Sequence, residues 1–133
     1  MGMILAAIVA AAVPASLTDW LFMGVLFHES YNTYPEIWWP GVRDGETRGA
    51  VVWSSVLGVV MTAGVVVVCQ LAGSSGIWHG LIIAFAMFLA GPFALLLINF
   101  QFVKTDLWQL VSHLLGYLAR FLIAGAAAGL MLK

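Results

Sequence analysis

The sequence predicts an all-α membrane protein, four transmembrane helices in a compact antiparallel bundle, and three observations support that class. The first is composition: of 133 residues, 63% are hydrophobic and only 8% charged, with a mean hydropathy of +1.05. A soluble domain carries about 25% charged residues, and a chain this short of charge would expose apolar patches in water. The second is length. Four stretches, 3–27, 49–71, 77–99 and 107–131, reach the ~20 mostly apolar residues that a helix needs to cross the hydrocarbon core. The third is punctuation, because turn-forming or charged residues break the chain between those stretches. The length suits one domain, 1–133, and no internal repeat or linker is evident.

The first span is alanine-rich at its start (Ala6, Ala7, Ala10, Ala11, Ala12) and carries Asp19 further along. Met3 to Ser16 superficially resembles a secretory signal, but it lacks the positive segment such a signal begins with. Its apolar character also continues to Phe27, so it is read as a spanning helix. The loop 28–48 holds Pro35, Pro40, Gly41 and Gly45 together with Tyr31, Tyr34, Trp38 and Trp39. Such rings favour the headgroup region, so the loop is expected to lie along the interface; the alternative is an aromatic lid over a ligand. The second span ends in a valine run containing Cys69, the only cysteine, expected to act as a small packing residue. Gly73-Ser74-Ser75-Gly76 forms a tight turn. The third span begins near His79, expected to face headgroups, and the short segment to Asp106 carries Lys104. Pro14 and Pro92 fall inside the first and third spans, where each frees a backbone carbonyl and favours a kink.

With four spans, the first and third loops share one side of the membrane. They hold Arg43, Arg48 and Lys104, whereas the other side has only Lys133. The positive-inside rule then places both termini outside the cytoplasm, in a multi-pass protein of the cell (inner) membrane. A net charge of −1 provides no footprint for nucleic acid. Membrane lipids are the expected partners, with a homo-oligomer or a larger membrane complex as further expectations.

Lipid tails are as apolar as leucine, so membrane helices associate through small residues and polar contacts. The fourth span ends in Ala124-Gly125-Ala126-Ala127-Ala128-Gly129. Antiparallel packing brings this run to the depth of the alanines of the first span, and contact between the two is expected there. The rival is that Gly125 and Gly129 face a second copy of the chain.

In this register Asp19 falls near the depth of Leu115, with His113 and Tyr117 on either side. Helical side chains lean toward their N-terminus, so Asp19 and Arg120 lean toward each other. A charge within the hydrocarbon costs ~2.5 to 3.5 kcal/mol even on lenient scales. Gln109, His113, Tyr117 and Arg120 recur at spacings of four, four and three, which is one helix face. Two readings stay open. Asp19, His113, Tyr117 and Arg120, with Asn99, line a polar cavity that binds a small ligand, headgroup or ion, or relays protons through histidine. Alternatively Asp19 and Arg120 are a structural pair whose neighbours satisfy leftover hydrogen bonds. His28 and His113 share a depth and are the only, weak, candidates for a metal or haem site; no ligand motif supports them. No cofactor is predicted. The nucleophile elbow, phosphate loop and histidine boxes of familiar enzymes are absent, which argues against catalysis more than for it.

The run Asp19 to Phe27, with Trp20, Phe22, Gly24 and Leu26, leads into a tryptophan-containing loop. Together with Asn99-Phe100 and Gly116-Tyr117-Leu118, this run resembles a bacterial four-helix integral membrane family known only as domain of unknown function 1761. The resemblance spans the whole chain and implies the same architecture, but no activity. Three functions are therefore carried forward: a membrane protein with an intramembrane polar binding site, an accessory subunit of a larger complex, and a membrane enzyme acting on a lipid-soluble substrate.

Overall fold

The computed structural model describes residues 1–132, and Lys133, used above for orientation, lies outside them. Four helices are long and apolar enough to cross a membrane: α1 (Gly2–Leu26), α2 (Arg48–Leu71), α3 (Ile77–Phe102) and α4 (Leu107–Met131). They pack against one another, and the described residues contain no strand. The chain is thus an all-α four-helix bundle, with α3 running three residues past its expected end at Asn99. One end of the bundle holds Met1, Leu132 and the α2–α3 turn 72–76; the other holds the loops 27–47 and 103–106. These are called the terminal end and the loop end.

Helix α4 is the hub, packing most extensively on the first half of α3 and on α1, then on α2. Small residues explain this central position, because Gly116, Ala124, Gly125, Ala128 and Gly129 are all buried along it. Where Gly125 and Gly129 meet Gly76 and Gly80, backbone touches backbone, and a Cβ on Gly80, Gly125 or Gly129 would collide with the facing main chain. The glycine step therefore engages α3, and not the first helix or a second copy. The expected α1–α4 contact also forms. Ala7, Ala11 and Ala15 are completely buried, and the first two share a packed cluster with Ala124 and Ala128. On the opposite side of α1, Leu5, Val9, Val13 and Leu17 are exposed at four-residue spacing, as a lipid-facing stripe should be. Cys69 is buried beside Gly80 in this cluster, its expected packing role. The α2–α3 turn closes through Gly73 (φ 64°) and Gly76 (φ 85°), left-handed positions that glycine occupies without strain.

Two helices contain π turns. In α3 the π segment Leu89–Phe93 includes Pro92. Proline has no N–H to give and clashes with the carbonyl four residues back, so the hydrogen-bond register widens there. Beyond it, Ala94–Phe102 contains no buried residue and meets the bundle mainly along α4. Pro14, by contrast, sits in uninterrupted α-helix. In α1 the π segment Trp20–Leu26 follows Asp19 directly and ends with the Phe27 N–H on the Phe22 carbonyl at 3.0 Å; nothing in the composition of that stretch announces it. The loop 27–47 then folds as short turns, His28–Asn32, Pro35–Ile37 and Pro40–Arg43.

Candidate functional site

Four of the five buried polar residues, Thr62, Gln109, Ser112 and Arg120, lie between the middle of the bundle and its loop end; the fifth, Ser74, lies in the α2–α3 turn. Arg120 is the largest fully buried side chain, at 1% exposure. Its Nη2 donates to Asp19 Oδ2 on α1. Its Nη1 donates to the Gly58 carbonyl at 2.6 Å and to Thr62 Oγ1 at 2.7 Å, both on α2. The Thr62 hydroxyl in turn donates to the Gly58 carbonyl at 3.0 Å. One guanidinium thus ties three helices together, and its planar fork of donors suits the task better than an ammonium would. Gly58 makes the space: a Cβ there would lie 2.7 Å from Nη2. Gly116 does the same for the partner, since its missing side chain accommodates Met23 and Asp19 Oδ1.

The expected pairing of Asp19 with Arg120 is therefore present, but it accounts for only one carboxylate oxygen. Asp19 Oδ1 is buried and has no hydrogen-bond partner among the described residues.

Nearer the loop end, Tyr31 enters the bundle from the first loop. Its hydroxyl lies 3.1 Å from Ser112 Oγ and 3.3 Å from His113 Nε2, and its ring meets the imidazole edge-on at 5.6 Å between centroids. Tyr117 stacks on the other side of His113 at 6.2 Å. The tyrosine is held in place by Trp38, which stacks on it and donates Nε1–H to the Tyr31 carbonyl at 2.8 Å. Burial raises the Tyr31 phenol above its ordinary pKa; the Ser112 hydrogen bond opposes the shift, while Tyr117 and the Asp19 carboxylate add to it. His113 Nδ1 is left buried and unpartnered. Whichever tautomer the ring adopts, that nitrogen has either a proton to give or a lone pair to fill.

The aromatic loop thus does two things. Trp39 lies open at 82% exposure, as an interfacial residue should, whereas Tyr31 is turned inward as a stopper above His113. Lys104 ties the third loop to the first, reaching Glu36 at 3.2 Å and lying over the Tyr34 ring at 4.3 Å. That contact, with a backbone hydrogen bond contributing most, holds the Glu36 carboxyl below its usual range.

The predicted stripe divides in three. Arg120 belongs to the ion-pair clasp. Tyr117 and His113 form the aromatic stack. Gln109, 6% exposed, lines a separate cavity of about 300 Å³ with Leu96, Asn99, Phe100, Val103, Thr105, Leu110 and His113. Asn99 is therefore not beside the Asp19–Arg120 pair; it is exposed and reaches the site only through this cavity. His28 is exposed on the first turn of the loop, and His79 is exposed at the start of α3. Among the described residues, no three His, Cys, Asp or Glu side chains gather as metal ligands would.

Five residues of the site were not singled out from the sequence: Gly58, Thr62, Ser112, Gly116 and, as a site residue, Tyr31. Only Ser112 and Gly116 had a signal available, since they flank the polar stripe on the same helix. No protein-family model, curated protein or solved structure matches the chain, so the meaning of the site rests on its geometry.

Proposed function

We propose that this chain is a membrane binding protein whose intramembrane polar site, formed by Asp19, Arg120, His113, Tyr117, Tyr31 and Ser112, takes up a small polar group from the loop end. One observation carries this reading: of the three buried side-chain polar atoms without a partner among the described residues, two, Asp19 Oδ1 and His113 Nδ1, fall in this one cluster, while the third, Ser74 Oγ, sits alone in the α2–α3 turn. An unsatisfied buried polar atom costs about 1–3 kcal/mol. A purely structural clasp gains nothing by keeping two of them, whereas a site for a hydrogen-bonding ligand requires open positions. Closure of the terminal half by glycine and alanine contacts favours binding over conduction from one side to the other. We place the protein in the cell membrane with its loop end toward the cytoplasm, on the balance of Arg43, Arg48 and Lys104.

The test is native mass spectrometry of the chain extracted gently from its membrane. The wild type is expected to retain a bound small molecule, and His113→Leu to lose it with helical content unchanged. Equal occupancy of both proteins would remove the proposal.

A second reading, a subunit of a larger membrane complex, is supported by the distal half of α3, which buries none of its residues within this chain. It predicts that the extracted chain migrates with a different, larger protein whether or not His113 is intact.

A further inference from the structure

The cavity between the distal half of α3 and the start of α4 adjoins the polar site without belonging to its clasp, and its lining is of a different kind. Leu96, Phe100, Val103 and Leu110 make most of the wall, while Asn99, Thr105, Gln109 and His113 supply the polar groups. None of these is a fixed charge, and the nearest cation, Lys104, is engaged with Glu36 and Tyr34. Mostly apolar walls with a few convergent hydrogen-bonding groups and a volume of about 300 Å³ are what small-molecule pockets share.

Depth matters as much as lining. At 1.5 Å rise per residue, Gln109 lies ~3 Å and His113 ~9 Å inside the loop end of α4. The polar groups therefore occupy the level where lipid headgroups give way to tails. On the other faces of this stretch of α3, Leu95, Leu97, Ile98 and Phe102 are exposed, so the helix that walls the cavity is otherwise surrounded by lipid. Gln109 is the residue best placed to hold a ligand there: it lines the cavity, is only 6% exposed, and carries two donors and an acceptor.

We infer that this cavity binds an uncharged, single-tailed lipid with a hydroxyl-bearing head. The head hydrogen-bonds Asn99 and Gln109, with His113 beside them, while the tail lies along Leu96, Phe100 and Leu110 toward the bilayer. Hydroxyls match amides because each can donate and accept in either direction. A carboxylate or phosphate head finds no cation in the lining to offset its charge. The inference rests on the reading of His113 as part of a binding site and names the class of molecule that reaches it.

The experiment uses the full chain in phosphatidylcholine nanodiscs and a monoacylglycerol carrying a photoreactive diazirine near its head. Cross-links are expected on the segments 96–103 and 105–113, suppressed by excess monooleoylglycerol but not by oleate at pH 8. Asn99→Leu combined with Gln109→Leu should weaken labelling about tenfold, the loss expected from two hydrogen bonds. Asn99 is exposed and Gln109 faces the cavity, and circular dichroism confirms that the helices remain. Labelling spread evenly over the lipid-facing sides of all four helices, or competition by oleate equal to that by monooleoylglycerol, would overturn the assignment. If labelling fails while His113→Leu still empties the native protein of its bound molecule, the lipid class is wrong and the polar site stands. If both fail, the site itself falls.

Discussion

The two halves of this bundle are held together by opposite means. At the terminal end Gly76, Gly80, Gly125 and Gly129 bring α3 and α4 to backbone contact, with Ala7, Ala11, Ala124 and Ala128 packed around them. Apart from the Ser74 hydroxyl in the turn, the buried polar groups there are those of the main chain. At the loop end Arg120 joins α1, α2 and α4 through charge and hydrogen bonds, and Tyr31 closes the space above. In lipid, where no hydrophobic force drives helices together, these are the two available kinds of attachment. Contact by small residues leaves no room, whereas attachment by long polar side chains leaves gaps and open hydrogen-bonding positions. The proposed binding site lies in the half held by long polar side chains.

Breaking the polar attachment should cost most. Arg120→Gln leaves Asp19 charged and unpaired in the bundle, and removal of one partner of a buried ion pair costs about 3–5 kcal/mol. Adding Asp19→Asn should recover part of that loss because the stranded charge disappears. A double-mutant cycle on unfolding in detergent measures the coupling, and simple additivity of the two changes would show that the pair does not act as a unit.

The terminal half is tested by Gly125→Val, which forces a branched side chain into the backbone of α3. Overpacking a tight contact costs about 1–3 kcal/mol. The loss should appear as separation of α3 from α4, read by distance measurements between spin labels at the terminal end, with the Asp19–Arg120 pair still formed.

Tyr31→Phe sharpens the comparison at lower cost, since it removes one hydroxyl shared by Ser112 and His113; a hydrogen bond of this kind contributes about 0.5–1.5 kcal/mol. It also predicts a pH effect. A phenol whose pKa is raised on folding stabilises the folded chain fully below the unfolded value, about 10, and that contribution is lost as pH rises through the folded value. Wild type should therefore lose stability above pH ~10 more steeply than Tyr31→Phe, as followed by thermal melts across alkaline pH. Identical slopes would mean that Tyr31 is not held in the bundle. The smallest effect belongs to Lys104→Ala. Its partner Glu36 is exposed and the pair is screened by salt, so melting in ordinary buffer should not change measurably.

How much of this was legible beforehand depends on whether a residue betrays its environment. Asp19 and Arg120 did, because a charge in an apolar run needs an explanation, and the lean of helical side chains brought the two together. Gln109, His113, Tyr117 and Arg120 declared a face by their spacing, although not that the face serves two separate spaces. Thr62 gave no sign, since a threonine in a valine-rich helix can satisfy its own turn and passes as filler. Tyr31 was hidden differently: in a loop with four large aromatic rings, composition cannot show which one turns inward. For Gly125 and Gly129 the motif announced close approach and a helix face. It did not name the partner, because both neighbouring helices offer small residues at that depth.

The π turn at Trp20–Leu26 has a bearing on how this chain tolerates changes in length. A π turn accommodates one residue more than an α turn does. Deleting a single residue within it would return that stretch to α register and leave what lies beyond nearly where it was. Tyr31, five residues past the segment, would then stay with Ser112 and His113, and Asp19, just before it, would keep Arg120. A deletion in the regular helix Gly2–Asp19 has no such slack and would rotate one side of the cut by about 100° against the other. In a set of such chains, single-residue gaps should therefore be tolerated at the end of α1 and in the exposed stretch 43–47, and avoid the first eighteen residues of the helix.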